Sequence, residues 1–142
     1  MSTPDPTTGG KTSTRFDDRV AIGVYFYGDV HRMVASICPL PAYFDAPHHD
    51  VLPYFLPARA LTHADAPNLL VAGKSMAQSF WANAATRLHP EEWGTGVAAG
   101  AAASLMVARG WSTTTTLLAN VGDLQDVLRS PLAQSPLEWT LP

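Results

Sequence analysis

The sequence predicts an α/β chain, an α+β fragment in which a few short strands accompany one dominant helix. Three observations predict it. Val20, Ile22, Val24 and Phe26 alternate with Ala21, Gly23, Tyr25 and Tyr27, the two-residue period of a strand. Asn68–Gly73 holds a short continuous apolar run that ends abruptly at Gly73, the pattern of a strand buried on both faces. Glycine and alanine then dominate Gly94–Ala108, with Pro90-Glu91-Glu92 before it and Arg109-Gly110 after it.

Composition sets the bounds. The 142 residues suit one domain with a moderate core. A hydrophobic content of 46% against only 15% charged residues describes a globular protein short of surface charge. That shortage fits either a surface partly covered by something else or an ordinary domain rich in alanine and proline. A net charge of -3 with scattered Lys and Arg gives no footprint for nucleic acid and no basic membrane-surface helix. The lone cysteine, Cys38, excludes an internal disulfide and reads as a buried thiol in the apolar stretch Val34–Leu40. The first residues carry no hydrophobic signal segment, and Gly94–Ala108 is too short and small-sided to span a bilayer. The expectation is a soluble, cytoplasmic protein.

The elements follow in order. Residues 1–17 are rich in Ser, Thr, Pro and Gly and read as a disordered lead-in. Arg19–Tyr27 is the first strand, and Gly28-Asp29 its turn. Arg32–Pro39 is a second strand, limited by Pro39 and Pro41. Pro41–Pro57 holds four prolines among large apolar side chains, which predicts an irregular but packed loop. Ala58–Leu61 is a short strand before a turn around His63–Pro67. Asn68–Gly73 follows as a buried strand. Met76–Arg87 reads equally as a broken helix or a structured loop. Pro90, Glu91 and Glu92 favour the first turn of a helix that runs to about Arg109 and stops at Gly110. A shorter helix covers about Asp123–Arg129, closed by Ser130-Pro131.

Several motifs bear on chemistry. Gly96, Gly100 and Ser104 fall four apart on the long helix, so a backbone, a sheet or a flat ligand can approach closely. Gly94, Thr95 and Gly96 read as the opening of the helix, where free N–H groups and the positive dipole end would face an electron-rich ligand edge. Ala72-Gly73-Lys74-Ser75 imitates the end of a P-loop, but Asn68 stands where its first glycine belongs, so no triphosphate cradle exists. Asp29-x-His31, His48-His49-Asp50 and His63-x-Asp65 are loose pairs without metal-ligand spacing, and no metal is expected. No G-x-S-x-G occurs, and no catalytic residue is identified. Arg87, just before the helix, either faces a ligand or ties its loop to a carboxylate or carbonyl.

Asn68–Gly73 (NLLVAG), Ser75, Arg87 and Gly96–Ala103 (GVAAGAAA) resemble the C-terminal hallmark of a family of FAD-dependent oxidoreductases. Its members include proteins labelled xanthan-lyase-like, with a glutathione-reductase-type FAD fold. Pro53–Leu61 (PYFLPARAL) and the Val20–His31 strand with Tyr25 and Asp29-Val30-His31 are similar to upstream segments of the same family. The resemblance implies part of a Rossmann-like FAD-binding domain plus strands of a substrate-domain sheet. It divides the chain into 1–17, substrate-domain strands at 18–66, an FAD-domain strand–loop–helix at 67–110, and a tail with short helices at 111–142. It implies FAD as cofactor, with Gly73, Lys74 and Ser75 near the ribityl-pyrophosphate and Thr95, Gly96 and Val97 near the flavin pyrimidine edge. Arg87 would be a charge beside the flavin, and Asp29 and His31 would lie toward the substrate. The family's opening G-x-G-x-x-G is not in this sequence, where Gly9-Gly10 sits in the polar lead-in. The expectation is therefore the C-terminal part of a flavoenzyme, completed by a polypeptide carrying the N-terminal dinucleotide-binding half. The alternative is a non-catalytic interaction or vestigial module that binds no flavin. Neither nucleic acid nor a membrane is an expected partner.

Overall fold

A computed structural model describes residues 15–24, 53–76, 78, 80–133, 135 and 137. Its elements are β1 (Arg19–Gly23), β2 (Tyr54–Pro57), β3 (Thr62–His63), β4 (Ala66–Leu70), α1 (Phe80–Thr86), α2 (His89–Arg109), α3 (Thr114–Ala119) and α4 (Val121–Arg129). The mixed α/β character is the one the sequence predicts. The lead-in through residue 14, the strand expected at Arg32–Pro39, Cys38 and the loop through residue 52 lie outside the described residues. So do Asp29, His31 and the His48-His49-Asp50 pair.

The first part of the alternating stretch forms β1, which pairs antiparallel with β2, Ile22 opposite Phe55 and Gly23 opposite Tyr54, while residues 25–27 lie outside the described residues. The Tyr54–Pro57 segment belongs to this ribbon rather than to the expected loop, because its four residues are all buried and β1 supplies the hydrogen bonds. Alternation does not become one wet and one dry face in β1. Val20 and Ala21 are both buried, since α2 and α4 both pack against the strand. A Cβ at Gly94 would lie 3.2 Å from the Ala21 Cβ. Gly94 is thus the glycine that lets α2 close on the ribbon.

Ala58–Leu61, expected as a strand, is a 3-10 turn. Asp18 bends it. The Asp18 carbonyl accepts from the Ala58 N–H at 2.6 Å, and its carboxylate accepts from the Arg59 N–H at 3.1 Å and pairs with the Arg59 guanidinium at 3.0 Å. The turn expected near His63–Pro67 is the tip of a small hairpin in which His63 pairs with Ala66 and Thr62 with Leu70. Its second strand, β4, overlaps the expected Asn68–Gly73 run but is displaced toward the N-terminus and is not buried on both faces. Pro67, Asn68 and Leu69 are exposed, Leu69 by 47%. Double burial needs a layer on each side, whereas among the described residues β4 pairs with the two-residue β3 and packs mainly against α3.

Within Met76–Arg87 the structure forms the short helix α1, and residues 77 and 79 lie outside the described residues. α2 begins at His89 with Pro90, Glu91 and Glu92 in its first turn, as the proline and the acidic pair predict. It ends where expected. Gly110 takes φ 67°, its N–H reaches the Val107 carbonyl at 3.2 Å, and the Trp111 N–H reaches Met106 at 2.8 Å, the paired bonds of a Schellman stop. α3 is an addition to the expected elements, started by Thr113, whose hydroxyl accepts from the Thr116 N–H at 3.2 Å. α4 covers the expected second helix and starts two residues earlier, at Val121.

The core joins Val20, Ala21, Tyr54 and Leu56 of the ribbon to Ala98, Ala102, Leu105 and Met106 of α2 and to Leu117, Leu124 and Leu128 beyond it. Arg19 and Gln125 are buried polar ties. Arg19 Nε donates to the Leu137 carbonyl at 3.0 Å, and the Gln125 amide donates to the carbonyls of Asp17 and Arg19 at 2.6 and 3.0 Å. No helix among the described residues is long and apolar enough to cross a membrane.

Candidate functional site

The turn after β4 and the first turns of α2 meet. Gly73 opens a 3-10 turn, Gly73–Ser75, at φ 64°, a left-handed conformation that glycine reaches without strain. Its N–H donates to the Thr95 hydroxyl at 3.0 Å. Thr95 is only 1% exposed, and its own proton goes back to the Glu91 carbonyl at 2.8 Å. A backbone amide of the turn is thereby fixed to the second turn of the helix.

Charges gather on the outside of this junction. Lys74 Nζ lies 3.7 Å from Glu92 Oε1, and His89 Nδ1 lies 2.8 Å from Glu92 Oε2. The His89 ring, assisted by Lys74, holds the Glu92 carboxyl below the usual glutamate range. The Glu92 side chain also roofs the turn, since a Cβ at Gly73 would meet its Cγ at 3.7 Å.

A second polar group lies beneath. Glu91 is 1% exposed, and its Oε1 accepts from the Val24 N–H at 3.0 Å. The Tyr54 hydroxyl lies 2.6 Å from the Ala85 carbonyl oxygen and 3.2 Å from Glu91 Oε1, so its one proton serves two acceptors. Burial, with the Glu91 carboxylate beside it, pushes the Tyr54 hydroxyl far above the ordinary tyrosine range. Its ring also covers Gly23, where any Cβ would collide with it at 2.3 Å. This brace ties both ribbon strands, the end of α1 and the start of α2.

The structure therefore brings Gly73, Lys74 and Thr95 together. Ser75 is exposed at the end of the same turn. Gly96 lies on the open face of α2, and Val97 is half-buried. Arg87 follows α1, its backbone N–H bonded to the Asn83 carbonyl at 3.1 Å. The opening of α2 is corrected: its first turn is His89–Glu92, and Gly94–Gly96 fall in the second. The helix begins earlier because Pro90 fits its first turn and Leu88 caps it in an extended conformation. Sequence reasoning missed Tyr54 and Glu91 as polar partners and Glu92 as the partner of Lys74. Glu91 and Thr95, four apart on one helix face, held the available signal.

For the edge of a dinucleotide these residues offer an ammonium at Lys74, a hydroxyl at Ser75 and an unobstructed surface at Gly96. The Gly73 amide and the Thr95 hydroxyl are already used within the chain. A cation, a hydroxyl and a bare glycine are groups whose chemistry suits the polar edge of such a ligand. Among the described residues no group of three or more His, Cys, Asp or Glu converges to hold a metal ion.

The family model for FAD dependent oxidoreductases matches residues 7–128. No curated protein and no solved structure matches the chain.

Proposed function

We propose, since this chain belongs to the FAD dependent oxidoreductase family, that it supplies the closing strand–turn–helix side of a flavin site. The observation that carries this reading is the placement of exposed Lys74 and Ser75 on the Gly73 turn, beside the first turns of α2. In this reading Lys74 and Ser75 would contact the pyrophosphate side, and Gly96 and Val97 would leave room for the flavin edge. Arg87 would stand near the flavin as a fixed positive charge. FAD, when bound, supplies the acceptor for a two-electron transfer from substrate.

Lys74 is engaged with Glu92, so a phosphate oxygen would replace a carboxylate that already occupies its cation. The 142 residues carry no G-x-G-x-x-G, so in this reading the dinucleotide-binding half comes from sequence outside them, on a partner polypeptide or otherwise. The division of the chain at residues 66 and 110 follows from that reading.

The second reading, a module that binds no flavin, is favoured by one observation: the Gly73 amide donates to the Thr95 hydroxyl and that hydroxyl donates to the Glu91 carbonyl, so both donors are used within the chain. The two separate in one experiment. The purified chain is mixed with FAD, alone and with the N-terminal half of a family member, and the visible flavin band is followed through gel filtration. The expected result is no retained flavin alone, retained flavin with the complementing half, and less retention for Lys74→Ala. A stable protein complex that never retains flavin would establish the non-catalytic reading instead.

A further inference from the structure

The turn that begins at Gly73 already carries an acidic group of the chain itself. Lys74 Nζ lies 3.7 Å from Glu92 Oε1, across the junction of the turn with the first turn of α2. The Glu92 side chain lies over the turn: its Cγ and Oε1 are both 3.7 Å from where a Cβ at Gly73 would stand. The other carboxylate oxygen is held from within the helix, with His89 Nδ1 at 2.8 Å from Oε2. Each oxygen therefore has its own nitrogen partner. The Glu92 side chain is 29% exposed, against 55% for Lys74 and 90% for His89. The acid sits inside and its two partners lie outside it.

We infer that Glu92 is a tethered competitor at this turn, its carboxylate filling the place on Lys74 that a ligand phosphate would take. The inference rests on the reading in which Lys74 and Ser75 meet the pyrophosphate of a dinucleotide. It makes the Lys74–Glu92 pair an autoinhibitory contact rather than a strut of the fold.

The charges show what such a contact does. An anion that reaches Lys74 must displace Glu92 or share the cation with it, and either course weakens binding. A singly charged ligand only replaces one carboxylate-like contact by another. A pyrophosphate group brings more negative charge and more acceptor oxygens, and the exposed Ser75 hydroxyl adds a donor beside Lys74. The exchange then favours the ligand. Glu92 keeps its contact with His89 when Lys74 changes partner, so the displaced carboxylate is not left bare.

Inorganic pyrophosphate, titrated into the full chain and followed through the amide NMR signals of Gly73, Lys74 and Ser75, tests the inference. Glu92→Gln keeps the size of the side chain and removes its charge. It should bind pyrophosphate about fivefold more tightly than the wild type, with the helical circular dichroism unchanged. His89→Ala frees one oxygen of the carboxylate and should act in the same direction by less. The gain should vanish when Lys74→Gln is added to Glu92→Gln. Equal affinity of wild type and Glu92→Gln overturns the inference. So does a gain that survives Lys74→Gln, or no binding of pyrophosphate by Glu92→Gln at all. Retention of FAD with the complementing half is a separate measurement. If flavin is retained there while Glu92→Gln binds pyrophosphate no better, the competitor falls and the flavin site stands. A tighter Glu92→Gln with no flavin retained in any complex gives the reverse.

Discussion

Helices α2 and α4 both lean on β1, yet they treat water differently. α4 buries Leu124, Gln125 and Leu128 and turns Asp126 and Arg129 outward, 3.2 Å apart. That is the division of a finished surface helix. α2 buries one side just as well but presents Trp93, glycines, alanines and Val107 on the other, with no charge among them. The difference teaches that, among the described residues, α4 has a finished solvent face and α2 does not.

The contrast is broken most forcefully from the α4 side. Leu128→Ala removes a fully buried side chain and should cost about 2–5 kcal/mol in denaturant unfolding, whereas Val107→Ala in dilute solution should stay within about 0.5 kcal/mol. Equal losses at the two sites would mean that the outer face of α2 is covered within the chain. Next in size is the brace under α2. Tyr54→Phe leaves the Ala85 carbonyl and Glu91 Oε1 without their shared donor and should lower stability by about 1–3 kcal/mol, read from the same unfolding curves.

The glycines sharpen the comparison within α2 itself. Gly96→Ala and Gly100→Ala, on the open face, should each raise stability by about 1 kcal/mol through helix propensity. Gly94→Ala should gain clearly less, because its new methyl would sit 3.2 Å from Ala21. The same gain at all three positions would contradict the close approach of α2 to β1.

The smallest effect is one of pH. Because the folded state lowers the Glu92 carboxyl, its contribution is present above the ordinary glutamate range and is lost as pH falls through the lowered value. Glu92→Gln should flatten the acid limb of the stability–pH curve slightly, and NMR titration of Glu92 should shift upward when His89 is replaced by Ala. An unchanged Glu92 titration would remove His89 as the cause.

These contrasts also mark what could be read in advance. α2 was legible because its signals are local: Pro90, the acidic pair and Gly110 all lie within or beside it. The strand at Ala58–Leu61 was misread because the residue that bends it into a 3-10 turn, Asp18, is far away in sequence. β4 looked doubly buried because an apolar run carries no record of whether its neighbours are present. At the candidate site, Gly73 and Lys74 were visible as a glycine turn with a cation. Thr95 was named there too, but its bond to Gly73 and the pairing of Glu92 with Lys74 were not, since contacts this far apart in sequence leave no mark in a one-dimensional pattern.

The buried ties of Arg19 and Gln125 bear on how the chain comes into being. β1 is synthesised well before the partners of its polar groups, Gln125 and Leu137, which follow more than one hundred residues later. Contacts this distant in sequence slow the search for the native arrangement. On the ribosome the first strand waits, its arginine and carbonyls still in water, until nearly the last described residue has emerged. Folding of the ribbon and arrival of the C-terminal segment are then one event.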